Sequence, residues 1–293
     1  MKVGYYPGCS LHGTSREFDE SLRAVAEVLG VELAEIDDWS CCGATSAHAT
    51  NHLLSVALPA RNLALAESQG HAEVLAPCAA CYNRLAGARH EIATDAALAA
   101  RMPELIGRPF ANTVAVRNVV EVLHGLLPTI RVRAGQPLAG IKVACYYGCL
   151  LVRPAEVCSF DDAEDPVTME EVVSATGATP VAWDMRLECC GGALSVSRTR
   201  SVVRLGRAIL NDARAAGADA IVVACPMCHS NLDFRQSAMV RRGEAAMPVL
   251  FLSELVGLAF GVAPDRLGLR RHFTSARSLL DRVQPPAAAR EVR

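Results

Sequence analysis

The chain has 293 residues, 51% hydrophobic and 20% charged, a balance that fits a globular protein and excludes a disordered one. Its net charge of −2 excludes the electrostatic footprint of a nucleic-acid or anionic-membrane partner. Twelve cysteines stand out. A secreted disulfide scaffold would be shorter and would open with a signal peptide, whereas MKVGYYPGCS carries no apolar segment of that kind. The cysteines are therefore expected to be reduced, in a cytoplasmic protein, as metal ligands or redox groups.

Strands are expected at 2–6, 73–77, 113–117, 141–146, 220–224 and 249–252, alternating with helices. The first runs into Cys9. After Cys41, Cys42 and Gly43, a helix end with its glycine (ESQG, 67–70) leads into strand 73–77 and Cys78-x-x-Cys81. Strand 113–117 is followed by Asn118 as an N-cap and an apolar helix. A linker is expected over 128–139, PTIRVRAGQPLA, on its two prolines and glycine. The order then repeats: strand 141–146 and Cys149; Cys189, Cys190 and Gly191; a helix end RAAG (214–217); strand 220–224 and Cys225-x-x-Cys228. Strand 249–252, Ser253 as N-cap and an apolar helix to 263 complete the match. That last stretch, between Pro248 and Pro264, is too short for a membrane span and holds Ser253 and Glu254. The tail 284–293 is expected to fray.

Alternating strands and helices mean a mostly parallel sheet covered on both faces. The expected fold is α/β: two pseudo-symmetric domains, 1–135 and 136–293, each a small sheet flanked by helices. Ligands in such folds sit beyond the carboxyl ends of the strands. Cys9, Cys78, Cys149 and Cys225 each follow a strand, so each set of five should gather at one edge of its own sheet, and the two edges should face one cleft. Glycine is expected where backbone approaches a bound centre or substrate, at Gly8, Gly43, Gly148, Gly191 and Gly192.

The sets are Cys9, Cys41, Cys42, Cys78, Cys81 and Cys149, Cys189, Cys190, Cys225, Cys228. One tetrahedral zinc takes four ligands, and five is one too many. Adjacent cysteines in an extended chain point to opposite sides, which suits a larger centre. Soft thiolates select iron–sulfur clusters, zinc or Cu(I), and reversible disulfides also remain open. The ferredoxin run of cysteines is absent. No GxGxxG opens a helix after a strand, so no flavin or nicotinamide site is expected in the chain itself. Outside the pattern, Cys145 reads as a buried inert thiol. Cys158 reads as a loop thiol without function, and the acidic FDDAEDP beside it as a solvated loop. His229 reads either as a donor to a cluster sulfur or as a surface histidine, and His48 as a polar residue on a helix.

The doubled C…CCG…CxxC pattern resembles the cysteine-rich CCG domains of the B subunit of heterodisulfide reductase. So do YYPGCSL (5–11), ACYYGCLLVRP (144–154), FDDAEDP (160–166), ECCGGALS (188–195) and CPMCHSNLD (225–233). The resemblance implies a noncubane 4Fe–4S cluster on each set of five cysteines, with zinc left open for one set. It implies thiol/disulfide redox chemistry, each sulfur of the S–S bond being taken by one cluster. It also implies two partners from the same complex, one ferredoxin-like and one flavin-bearing. The wider CCG family includes iron–sulfur proteins of 2-hydroxyacid oxidases and of succinate or fumarate enzymes, which makes electron relay the alternative. Substrates in the resembling enzymes are the coenzyme M–coenzyme B heterodisulfide or protein-bound thiols. Two lysines against 27 arginines suggest a GC-rich bacterial genome and so the protein-bound thiol.

Overall fold

The structure is a computed structural model and describes residues 1–241 and 243–284. The first half comprises β1 (Lys2–Tyr5), α1 (Gly8–His12), α2 (Arg16–Leu29), β2 (Glu32–Glu35), α3 (Ser46–Thr50) and α4 (His52–Ser68). It continues with β3 (Glu73–Leu75), α5 (Ala79–Thr94), α6 (Ala96–Ile106), β4 (Ala115–Arg117), α7 (Val119–Gly125) and α8 (Leu127–Ala134). The second half comprises β5 (Lys142–Tyr146), α9 (Thr168–Ala175), β6 (Thr179–Pro180), α10 (Thr199–Ala215) and β7 (Ala220–Val223). After these come α11 (Pro226–Asp233), β8 (Val249–Phe251), α12 (Leu252–Ala259) and α13 (Arg277–Leu280).

Two four-stranded sheets result, ordered β2-β1-β3-β4 and β6-β5-β7-β8, with every neighbouring pair parallel. The central strand β7, Ala-Ile-Val-Val, is buried on both faces, as parallel strands under helices must be. Helices α2 and α10 turn Phe18, Leu22 and Val25, and Val202, Ile209 and Leu210, to the interior. Asn118 caps α7 through its side-chain oxygen, which accepts from Glu121 N at 3.0 Å.

The edge strands β2 and β6 are not among the expected ones. β2 reads Glu-Leu-Ala-Glu and lies half exposed, and β6 is two residues long. The expected linker is largely helix: α8 buries Leu127, Ile130 and Ala134 and ends at Gly135 in the left-handed conformation. Ser253 does not cap α12. Phe251 holds the N-cap position, and Ser253 lies inside the helix with its Oγ 2.7 Å from Ser21 Oγ. The tail beyond Gln284 lies outside the described residues. Among the described residues no helix is long and apolar enough to cross a membrane.

One hydrophobic core runs through both halves. At its centre Phe18 of α2 stacks on Phe251 at the end of β8, ring centroids 4.0 Å apart. Asn83 of α5 donates to the carbonyls of Leu150 and Arg153 across the seam, at 3.1 and 2.7 Å. These contacts fix the carboxyl edges of the two sheets against each other.

Candidate metal centre

Each cysteine set is assembled by the same local devices. After β1 the chain turns through Gly8, whose φ of +65° is open to glycine; a Cβ there would stand 3.0 Å from Cys81 Sγ. Tyr6 donates its hydroxyl to Ser40 O at 2.7 Å, tethering the loop that carries the cysteine pair. Cys42 Sγ and Cys81 Sγ lie 3.4 Å apart, and Gly43 N donates to Cys41 Sγ at 3.4 Å. The second half repeats this. Gly148 has φ +66°, with a Cβ position 3.2 Å from Cys228 Sγ. Tyr146 donates to Glu188 O, Cys190 and Cys228 sulfurs are 3.5 Å apart, and Gly191 N donates to Cys189 Sγ at 3.3 Å.

The repeat is broken at one place. Asn231 Nδ2 donates to Cys190 Sγ at 3.5 Å, to Cys190 O at 3.3 Å and to Gly192 O at 3.0 Å. Its counterpart, three residues beyond Cys81, is Arg84, which turns to His48 Nδ1 at 2.7 Å and Asn83 Oδ1 at 2.6 Å. His48 is thus engaged by an arginine.

The two sets meet. The Cys78 and Cys225 thiols hydrogen-bond to each other, and both are buried. All twelve thiols are unbridged. Sulfur–sulfur hydrogen bonds split their acidities. Cys42, which accepts from Cys41 and Cys81, is held at about 3, while Cys41 is pushed up. Cys189, which accepts from Cys149, is lowered to about 6. Each set thus carries thiolate character at neutral pH, the form that binds metal. Burial first, and then the neighbouring thiolates, raise Tyr6 and Tyr146, so both phenols stay neutral donors.

A cavity of about 320 Å³ opens here. All five cysteines of the first set line it, facing Gly192, Ser195, Met227 and Asn231 of the second half, and no acidic or basic side chain reaches it. Asn231, Met227 and the hydroxyls of Ser10, Thr14, Ser195 and Ser230 were not singled out in the sequence; the position of Asn231, one helical turn past Cys228, was the available signal. Among the described residues, no group of three or more His, Cys, Asp or Glu side chains is placed to hold one metal ion. The sulfurs pair in twos instead, and a sulfur-only donor set of this kind fits soft centres, with the pairs able to serve different metal atoms of one cluster.

Gly43 and Gly191 bring their backbone N–H groups to the Cys41 and Cys189 sulfurs, while their Cβ positions fall 2.8 Å from Ala47 Cβ and 2.7 Å from Val202 Cγ2, so they also let the cysteine loops press on helices α3 and α10. His229 neither meets a sulfur nor lies on the surface. It is buried, Nε2 3.1 Å from Val249 O, its ring stacked on Phe251 at 4.3 Å. Cys158 lies in a loop, as expected, and is buried at the seam, where it accepts from Asn83 Nδ2 at 3.4 Å. The acidic run is a loop with Asp162, Glu164 and Asp165 exposed, as expected, and Asp161 accepts from Val167 N at 3.0 Å and Thr168 N at 2.9 Å at the start of α9. Cys145 is buried within β5, as expected.

Comparison with known proteins agrees with this architecture. Residues 3–86 and 143–233 match the family model CCG, cysteine-rich domain. The 8-methylmenaquinol:fumarate reductase membrane anchor subunit of Wolinella succinogenes is 34% identical over 95% of this chain and 99% of its own length. The B subunit of the ferredoxin/F(420)H(2)-dependent CoB-CoM heterodisulfide reductase of Methanosarcina acetivorans is 31% identical over 92% of this chain and 93% of its own. A protein of Archaeoglobus profundus named for its likeness to the heterodisulfide reductase B subunit is 30% identical over 91% and 93%. Among solved structures, a hypothetical protein from Helicobacter pylori has the same fold, with a TM-score of 0.74 at 13% identity over 94% of this chain and 52% of that one. The chain belongs to the family of CCG cysteine-rich proteins that includes the heterodisulfide reductase B subunit, a family of iron–sulfur redox proteins.

Proposed function

We propose that the chain is the iron–sulfur catalytic subunit of a heterodisulfide reductase-like complex, cleaving or forming a disulfide. Cys9, Cys41, Cys42, Cys78 and Cys81 would hold one noncubane 4Fe–4S cluster, and Cys149, Cys189, Cys190, Cys225 and Cys228 a second. When bound, such clusters supply electrons singly and offer iron to a substrate sulfur. The observation that carries the reading is the meeting of the two sets at Cys78 and Cys225 beside a cavity free of acidic and basic side chains. A relay alone needs no such cavity.

The chain's own residues prepare the site. Gly43 N and Gly191 N hold Cys41 and Cys189 sulfurs in place. Tyr6 and Tyr146 fix the loops before them. Hydroxyls of Ser10, Thr14 and Ser195 line the cavity and can take the polar arms of a thiol. Reduction of RS–SR′ takes two electrons and releases two thiolates, which two protons convert to thiols. Direction follows relative potentials, about 30 mV being worth roughly 1.4 kcal/mol for a two-electron couple.

The relatives are named as subunits, and the electrons in this reading come from two partner proteins of the complex, one ferredoxin-like and one flavin-bearing, in the cytoplasm. The two halves, 1–135 and 136–293, act as the two domains; Gly135, which closes α8, is the point of division. A second reading is favoured by one observation: the 34% identical relative is named as part of a fumarate reductase, which would make this chain an electron relay. Iron and acid-labile sulfide analysis of anaerobic protein should give about eight irons per chain. About four irons with stoichiometric zinc would make one set a zinc site, and a count near zero would overturn the reading. Addition of a thiol or disulfide should change the cluster EPR spectrum; an unresponsive spectrum leaves the relay.

A further inference from the structure

The cysteine-bearing stretches 8–16, 39–52, 76–90 and 189–211 hold no aspartate or glutamate and seven arginines, in a chain whose net charge is −2. Around the cavity this asymmetry becomes a surface. Arg16 comes just after Thr14, and Arg198 and Arg200 come just after Ser195; that threonine and that serine line the cavity. Arg16, Arg198 and Arg200 are exposed, and among the described residues no carboxylate pairs with them or with Arg235. The acids close by are buried or occupied. Asp233 accepts from Phe273 N and Thr274 N at 2.8 Å, Glu17 is buried, and Glu20 pairs with Arg271 at 2.7 Å. Glu188, before Cys189, is the exposed exception.

An apolar patch lies among these arginines. Leu194, Val196, Phe234 and Phe273 are exposed, Val196 at 89% and Phe273 at 72%. Contacts join them into one surface. Arg235 donates to Ser195 O at 3.1 Å, between Leu194 and Val196, and its guanidinium lies over the Phe234 ring at 4.8 Å. Phe234 packs on Phe273, ring centroids 4.6 Å apart. A second hollow of about 570 Å³ runs from these two rings to Thr14 and Ser230, which also line the cysteine cavity. Exposed apolar residues set among arginines mark a protein-docking surface. Val196 and Phe273 do not line the cysteine cavity, so a small ligand within it leaves them uncovered.

We propose that this basic and apolar rim docks an acidic protein that carries the substrate thiol or disulfide and presents it to the cavity. The inference rests on the sulfur-redox reading above and names its substrate class: a protein-borne sulfur, not a free small molecule. Position selects this occupant. A protein seated on the rim covers the hollow that leads to the cysteines. An electron donor seated there would shut out the substrate, whereas a carrier brings its own sulfur in as it docks. Positive charge at the rim draws an acidic carrier toward the cavity and, being exposed, loses strength as salt rises.

The test uses the full-length, iron-loaded chain and a short fluorescein-labelled peptide with one cysteine among glutamates and leucines, its binding read by fluorescence anisotropy. A twin peptide carries serine in place of the cysteine. The cysteine peptide should bind more tightly than its twin and weaken as salt rises. Arg198→Ala with Arg200→Ala should weaken it about tenfold. Val196→Asp should do the same, at a residue too exposed for the fold to depend on it. Arg131→Ala with Arg133→Ala, an equally exposed pair on α8, should leave binding unchanged. Equal losses from the two arginine pairs would mean non-specific charge attraction and overturn the docking surface. Equal binding of the two peptides, still dependent on Arg198 and Arg200, would make the occupant an electron donor and overturn the carrier. Displacement of the peptide by an equal concentration of mercaptosuccinate would point to a small anionic thiol and overturn it too. The EPR response to 2-mercaptoethanol is recorded separately. No response in the unmodified protein sinks the sulfur-redox reading and the proposal with it, whereas a response without peptide binding sinks this proposal alone.

Discussion

At Gly8 and Gly148 a single hydrogen atom in place of a side chain decides whether the sulfurs fit. An alanine would combine a positive φ with a Cβ at 3.0 Å from Cys81 Sγ, or 3.2 Å from Cys228 Sγ, and the sulfur would have to move. Gly8→Ala should therefore lose about half the iron, from the first set, and Gly148→Ala the other half; full iron in either variant would show that the close approach is dispensable. Cys158→Ser should keep all its iron, because Asn83 Nδ2 and two carbonyls surround that thiol and no other cysteine does. The ligand candidates were legible because thiol spacing survives in the sequence whatever packs on it. The surroundings of Cys158 were not: its neighbours are polar and acidic, and the residue that buries it lies 75 positions away. Asn231 escaped for a similar reason, since its partners are 39 and 41 positions distant.

Among the elements, α2 and α12 join the halves. Phe18 stacks on Phe251, and Ser21 meets Ser253 in a buried hydroxyl pair. Phe18→Ala should cost about 3–5 kcal/mol, the usual range for a core phenylalanine, read by anaerobic denaturation at equal iron loading. Ser21→Ala strands the Ser253 hydroxyl and should cost about 1–3 kcal/mol. The double variant Ser21→Ala with Ser253→Ala should recover part of that loss; a purely additive result would mean the pair contributes nothing. The four inner strands and the edge strands β4 and β8 were legible because hydrophobic runs end in a glycine, a cap residue or a cysteine. The edge strand β2 was not, because its outer face is solvated and carries glutamates. In α8, Pro128 occupies the first helical turn and Gly135 follows the last. These residues start and stop a helix as readily as they mark a linker, and the burial of Ile130 in the core shared by both halves settles which.

On the scale of the whole molecule, the interface between the halves conceals a polar cluster that no periodicity announces. Glu254 on α12 and His272 from the segment before α13 pair at 2.8 Å with both side chains sealed from solvent. Glu17, His229 and Asp233 lie around them, with Arg271 at the rim. Burial raises Glu254 to about 7, and His272 offsets only part of that. Burial works against a charged His272, yet the Glu254 carboxyl leaves it raised on balance. Both shifts have the same sign in linkage. A group whose folded value lies above its unfolded one binds protons more tightly when folded, so its contribution is present at low pH and lost as pH rises through the folded value. For Glu254 the window runs from about 4.3, the unfolded value, to about 7; for His272 it begins near 6.5 and extends upward. His229, pushed down first by burial and then by His272, acts in the opposite sense, so the pair must be isolated by difference. The gap in Tm between the parent protein and Glu254→Gln, both at equal iron content, should be largest near pH 5 and shrink steadily toward pH 8. A gap that held constant or widened with pH would mean that the pair is not protonated together as the halves close.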